Sequence, residues 1–169
     1  MTSLSTSATQ RTPQEIEHTI QITSQYLNSI DQAITHYDNE IKLCSEKIQE
    51  VSTNIFNLKN NVLTEQDPPS LKERVSVLQK DLENCYKSMD TTNTKVIEIS
   101  KYLTEGVPHP QGKIDLKLYA IVREEGSDEQ KQAQHRLNTA YDSLKDLYQR
   151  SHHMMNKVAE LDEELQKIV

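Results

Sequence analysis

Tryptophan is absent from this 169-residue chain, phenylalanine occurs once, at Phe56, and glycine occurs three times. A compact globular core of this length draws on large aromatics and turn glycines, so their scarcity argues against an ordinary packed domain. Long apolar runs are missing too. No stretch of about 18 hydrophobic residues is present to span a membrane, and the N-terminus has neither a charged n-region nor an apolar h-region. The expectation is a soluble, intracellular chain, cytoplasmic or nuclear. Basic charge is also short: the net charge is -7, and between Pro13 and Glu65 three Lys face eight Asp plus Glu. Phosphate contact needs a basic stripe, so direct nucleic-acid binding is not expected. Gly106, Gly112 and Gly126 form no phosphate loop, and no Gly-Lys-Ser/Thr sequence occurs.

What the chain has in quantity is apolar periodicity. Alternating steps of four and three residues from Ile16 land on Ile20, Thr23, Leu27, Ile30, Ile34, Tyr37, Ile41, Cys44, Ile48, Val51, Ile55, Leu58 and Val62. Such a seam is the signature of helices packed side by side in a coiled coil. If the wider step arrives at position a, that layer carries Ile20, Leu27, Ile34, Ile41, Ile48, Ile55 and Val62. Leucine occurs at only one d position, Leu58, whereas parallel two-stranded zippers favour leucine there. The pattern therefore predicts three or more helices, with this chain's own later helices as possible strands.

The chain divides by its punctuation. Residues 1–12 are rich in Ser and Thr and read as a disordered tail. Thr12-Pro13-Gln14-Glu15 is a helix start, and the first long helix is predicted over 13–65. Pro68 and Pro69 stop it, and Ser70-Leu71-Lys72-Glu73 is a capping box opening a second helix over 70–105. Its seam includes Leu78, Leu82, Cys85, Met89 and Val96. Residues 106–126 are a Pro/Gly break around a short apolar element. In that element Ile114, Leu116 and Leu118 alternate as a strand would, while Asp115 as cap with Leu118, Ile121 and Val122 fits a short helix. With no second strand to pair with, the helix is expected. Residues 127–169 form the third long helix, with a seam through Leu137, Leu144, Val158 and Leu165. The predicted fold is all-α: three long amphipathic helices in an elongated coiled-coil or helical bundle, with one short element between the second and third.

Side chains able to do chemistry are scattered. His152 and His153 are adjacent, so they point about 100° apart on a helix and cannot share a metal as an i, i+4 pair does. His18, His36 and His135 have no cluster of ligands at suitable spacing, and His109 has no neighbour in sequence to orient it as a base. No catalytic residue, metal site or cofactor is expected. Cys44 and Cys85 both fall on seam positions, and folding back about Pro68 puts them roughly two helical turns out of level. They read as reduced thiols packed as small hydrophobes, with an interchain disulfide as the other reading.

The run Leu137-Asn138-Thr139-Ala140-Tyr141-Asp142-Ser143-Leu144-Lys145-Asp146-Leu147 resembles the terminal coiled-coil helix of the central-channel nucleoporin family. That family likewise places a long first helix, a shorter second and a final helix near its C-terminus. Phe56 is followed by Asn57, so the chain has no Phe-Gly dipeptide, and the tryptophan of the family's first helix is missing. What the resemblance implies is a trimeric scaffold role at the nuclear envelope, not transport-receptor binding.

Together these readings predict a non-enzymatic structural subunit whose partners are other coiled-coil proteins in a hetero-oligomer. The seam residues of the three helices would hold those partners. The alternative is a regulatory adaptor or tethering subunit of a kinetochore, spindle-associated or vesicle-tethering complex, which binds its partner through residues 114–122, with Leu118, Ile121 and Val122 as the docking element.

Overall fold

The computed structural model describes residues 11–61 and 70–168. Three long helices dominate it: α1 (Pro13–Lys59), α2 (Leu71–Glu105) and α4 (Asp128–Gln166). Between α2 and α4 lie two short strands, β1 (Val107–His109) and β2 (Gly112–Ile114), and a single-turn helix α3 (Leu118–Ile121). The fold is all-α apart from that hairpin.

Each long helix begins where a hydroxyl satisfies an amide that has no partner within the helix. Thr12 Oγ1 accepts from the Glu15 amide at 3.1 Å, Ser70 Oγ from Glu73 at 3.0 Å and Ser127 Oγ from Gln130 at 3.1 Å. Caps of this kind contribute about 1 kcal/mol each. The predicted end of the first helix at Glu65 is not reached. Asn61 adopts a left-handed conformation at φ 56°, which asparagine tolerates, and Asn60 Nδ2 donates to the Phe56 carbonyl at 2.8 Å. Val62, Pro68, Pro69 and most of the predicted N-terminal tail lie outside the described residues.

The chain forms two compact units. One comprises Tyr37–Lys95 with Leu147–Val169, so α1, α2 and α4 each contribute a segment. Lys47 pairs with Asp81 at 3.6 Å, while Asp38 of α1 and Asn93 of α2 reach the neighbouring residues Arg150 and Ser151 of α4, so α1 and α2 run antiparallel. Arg150 pairs with Asp38 at 2.7 Å and Lys59 with Glu164 at 3.6 Å, which sets α4 parallel to α1. Between the three helices Ile41, Ile48, Val51, Ile55, Leu78, Leu82, Met89, Leu147, Val158 and Leu165 are buried. Each such aliphatic side chain contributes about 1.5–3 kcal/mol by leaving water. Ser151, a polar interruption of the seam, is buried without penalty: its hydroxyl donates to the Tyr148 carbonyl at 3.0 Å and accepts from Asn93 Nδ2 at 2.9 Å.

The other unit comprises Met1–His36 with Val96–Asp146. Here Leu27 and Ile30 of α1, Val96 and Leu103 of α2, and Leu137 and Leu144 of α4 are buried. Thr23 is fully buried as well, and its hydroxyl donates back to the Thr19 carbonyl at 2.6 Å. Val107, Leu116, Ala120 and Val122 from the connection between α2 and α4 complete this core.

That connection corrects one expectation. The short helix expected after Asp115 is present as α3, but the premise that no strand pairs in this segment is overturned: Ile114 is the last residue of β2 and stands opposite Val107 in an antiparallel pair. The missing strand partner is Val107-Pro108-His109, which Pro108 disguises as a loop. In a hairpin of two strands both strands are edges, so a residue without an amide donor is tolerated. Helical structure begins only at Leu118, and Asp115 supports the turn before it by accepting from the Lys117 amide at 3.0 Å. Gly106 ends α2 at φ +99°, and a Cβ there would stand 3.1 Å from the Ile114 carbonyl oxygen. Glycine is thus needed at this position both for its backbone angle and for the closeness of the hairpin.

Candidate binding surface

The seams chosen as partner-binding surface are occupied by the chain's own helices. Leu27, Ile41, Ile48, Ile55, Leu78, Leu82, Leu137, Leu144, Val158 and Leu165 are all buried, while Ile20 and Ile34 are half-buried. Burial of this kind leaves a foreign helix no access to them while the bundle stays closed. What remains outside is a set of large apolar side chains on the flanks: Leu43 and Phe56 of α1, Val77, Tyr86 and Ile97 of α2, and Tyr141 and Tyr148 of α4.

Of the predicted docking element, Val122 is buried, Leu118 half-buried and Ile121 exposed at 46%. Ile121 and Tyr141 lie on the wall of a groove of about 410 Å³ that Leu103, Leu137, Lys117 and Gln134 also line. The segment behind this groove is firmly held. Two guanidinium groups approach the Tyr119 ring, Arg123 at 4.2 Å and Arg136 at 5.3 Å from its centroid. Arg136 also donates to the Tyr119 hydroxyl and to Asp31 of α1, each at 3.2 Å, and to Asn28. Burial alone would lower the Arg136 pKa, but the bonds to Tyr119 and Asp31 outweigh it and raise the pKa. Gln130 Nε2 donates to the Ala120 carbonyl at 3.3 Å. A second groove, of about 430 Å³, belongs to the other unit and is lined by Leu82, Tyr86, Val158 and Ala159 with polar residues at its rim.

His109 differs from its expected isolation. Its Nδ1 lies 3.0 Å from the Tyr26 hydroxyl, and the two rings meet edge to face. This contact ties the hairpin to α1. His18, His36, His135, His152 and His153 are exposed, and His152 stacks on Tyr148. Among the described residues no group of three or more His, Cys, Asp or Glu is placed to hold a metal ion, and no helix is long and apolar enough to cross a membrane.

Cys44 and Cys85 also depart from expectation. They are not out of level: both are buried, and each thiol is the other's hydrogen-bond partner. The connection runs from Lys59 to Leu71, and the two cysteines stand nearly equidistant in sequence from its middle.

Asp38 carries the clearest pH dependence. Its hydrogen bonds to Lys42 and then Arg150 hold its carboxyl below the usual carboxylate range. The ionised form therefore stabilises the fold; this contribution is present above the unfolded-state pKa and is lost as pH falls through the lower folded value. Asp38→Asn is expected to cost at most about 1 kcal/mol at neutral pH, because the pair is partly exposed. In urea titrations run at successively lower pH, the gap between variant and parent should close. A gap that persists in acid would exclude the ion pairs as its source.

No family model matches the chain, and neither a curated protein nor a solved structure matches it. The resemblance to central-channel nucleoporins thus rests on the residues from Leu137 to Leu147 and on the order of the long helices. Fold and surface together define a helical-bundle protein whose buried Thr23 and Ser151 are hydrogen-bonded internally and whose apolar flanks are exposed.

Proposed function

We propose that the chain is a non-enzymatic structural subunit of a multiprotein coiled-coil assembly, in which it holds partner helices side by side. The observation that carries this reading is the division of its apolar residues. One set, on the seams, is consumed in closing the bundle, whereas Leu43 (60% exposed) and Phe56 (63% exposed) stand out on α1. On a helix these two residues flank the buried seam on opposite sides, where neighbouring helices of an assembly would pack. Scattered single apolar residues are ordinary on protein surfaces; a used surface differs from them in losing its partners when these two side chains are made polar.

The test is Leu43→Glu combined with Phe56→Glu. Neither side chain is in the core, so the doubly substituted chain should keep its helical circular dichroism and melt within a few degrees of the parent. Proteins that co-purify with the parent should be lost from the variant. Retention of the complete set by a folded variant would sink the flank as the scaffold surface. A second reading, a regulatory adaptor that binds through the segment around Ile121, is favoured by the exposure of that side chain beside the groove.

A further inference from the structure

The chain has two cysteines, and the fold brings them together from different helices. Cys44 lies on α1 and Cys85 on α2, each 6% exposed, and each thiol is the other's hydrogen-bond partner. The antiparallel register that pairs them is fixed independently by the Lys47–Asp81 bridge at 3.6 Å together with Asp38 and Asn93, which reach the neighbouring residues Arg150 and Ser151 of α4. Ile48 and Leu82 are buried on the side of the connection, Ile41 and Met89 on the other, so the sulfurs form one layer of the bundle with apolar layers above and below. A thiol packed only as a small hydrophobe needs no second thiol opposite it. We infer that Cys44 and Cys85 form a dithiol site for thiol–disulfide exchange, which closes an intrachain disulfide between α1 and α2 when the chain meets a small-molecule disulfide.

The electrostatics support an order of events. The Cys44 hydrogen bond lowers the Cys85 pKa against burial and the Asp81 charge, with Lys47 a smaller lowering influence, while that bond and burial push the Cys44 thiol up. Cys85 is therefore the first thiolate, and the thiolate is the nucleophile. On opening of the layer, Cys85 sulfur attacks one sulfur of a disulfide such as oxidised glutathione, breaks the S–S bond and expels one thiolate. Reclosure presents Cys44, which loses its proton and displaces the second small thiol from the mixed disulfide. Both cysteines are oxidised, and the small disulfide is reduced to two thiols. Because both sulfurs are buried, the rate is set by opening of the helices, and exchange is slow in the closed bundle.

The experiment equilibrates the full-length chain with a glutathione redox buffer, quenches with acid, alkylates in denaturant and reads the intact mass. The expected product is a monomer about 2 Da lighter than the reduced chain, with no alkyl group added. Its equilibrium constant against glutathione should be at least about tenfold larger in the native chain than in guanidinium, where the helices no longer hold the pair. Cys44→Ser and Cys85→Ser chains should each give only an adduct at the remaining thiol. Two alkylated cysteines, a stable glutathione adduct of the unsubstituted chain, an interchain dimer, or equal constants in native and denatured chain would each overturn the inference.

Discussion

Substituting Asp for both Ile41 and Ile48 is expected to unfold the bundle that these residues share with α2 and α4. Ile41 is 2% and Ile48 5% exposed, so each substitution forfeits about 1.5–3 kcal/mol of apolar burial. The larger cost is the carboxylate, which would stand in an apolar layer without a cation. A buried unpaired charge commonly exceeds about 4 kcal/mol, and domains are stable by only about 5–15 kcal/mol in total. Thermal melts followed by circular dichroism should therefore lose their cooperative transition. The same substitutions would also abolish partner binding, but as a consequence of unfolding. That is why the exposed pair Leu43 and Phe56, and not the seam, is the surface on which the scaffold reading is tested. A cooperative melt near the parent's would show that this seam is not the chain's own core.

The ambiguity arises in the sequence itself. A four-three spacing of isoleucines states that one face of a helix is buried; it does not state whether the covering helix belongs to the same chain. Local chemistry was readable for the opposite reason: Thr12, Ser70 and Ser127 cap amides three residues away, and Gly106 ends the second helix where the pattern breaks. Contacts across long stretches of sequence left little trace. Arg136 reaches Asp31 and Tyr119, and Tyr26 reaches His109, yet nothing near any of these residues marks its partner. The hairpin was hidden by Pro108, and the facing of Cys44 and Cys85 by placing the turn at Pro68 when α1 ends at Lys59. A shift of a few residues in a turn moves the register of an antiparallel pair by twice as many, enough here to separate two thiols that in fact touch.

Leu116 and Ile121 give the sharpest contrast in the segment between α2 and α4. Leu116 is fully buried and Ile121 is 46% exposed, although only four residues lie between them. Leu116→Asp should destabilise the chain by about 3 kcal/mol or more, since it both removes a core side chain and buries a charge. Ile121→Asp should change stability by no more than about 0.5 kcal/mol. Deleting residues 114–122 outright is a poor substitute for this pair, because Leu116, Ala120 and Val122 would leave the core together. The adaptor reading expects Ile121→Asp to lose one partner from the purified assembly while the rest remain. The scaffold reading expects the full set to be retained. Urea melts on both variants supply the control: if Ile121→Asp proved as destabilising as Leu116→Asp, the side chain would belong to the core in solution and the groove beside it could not be an open docking surface.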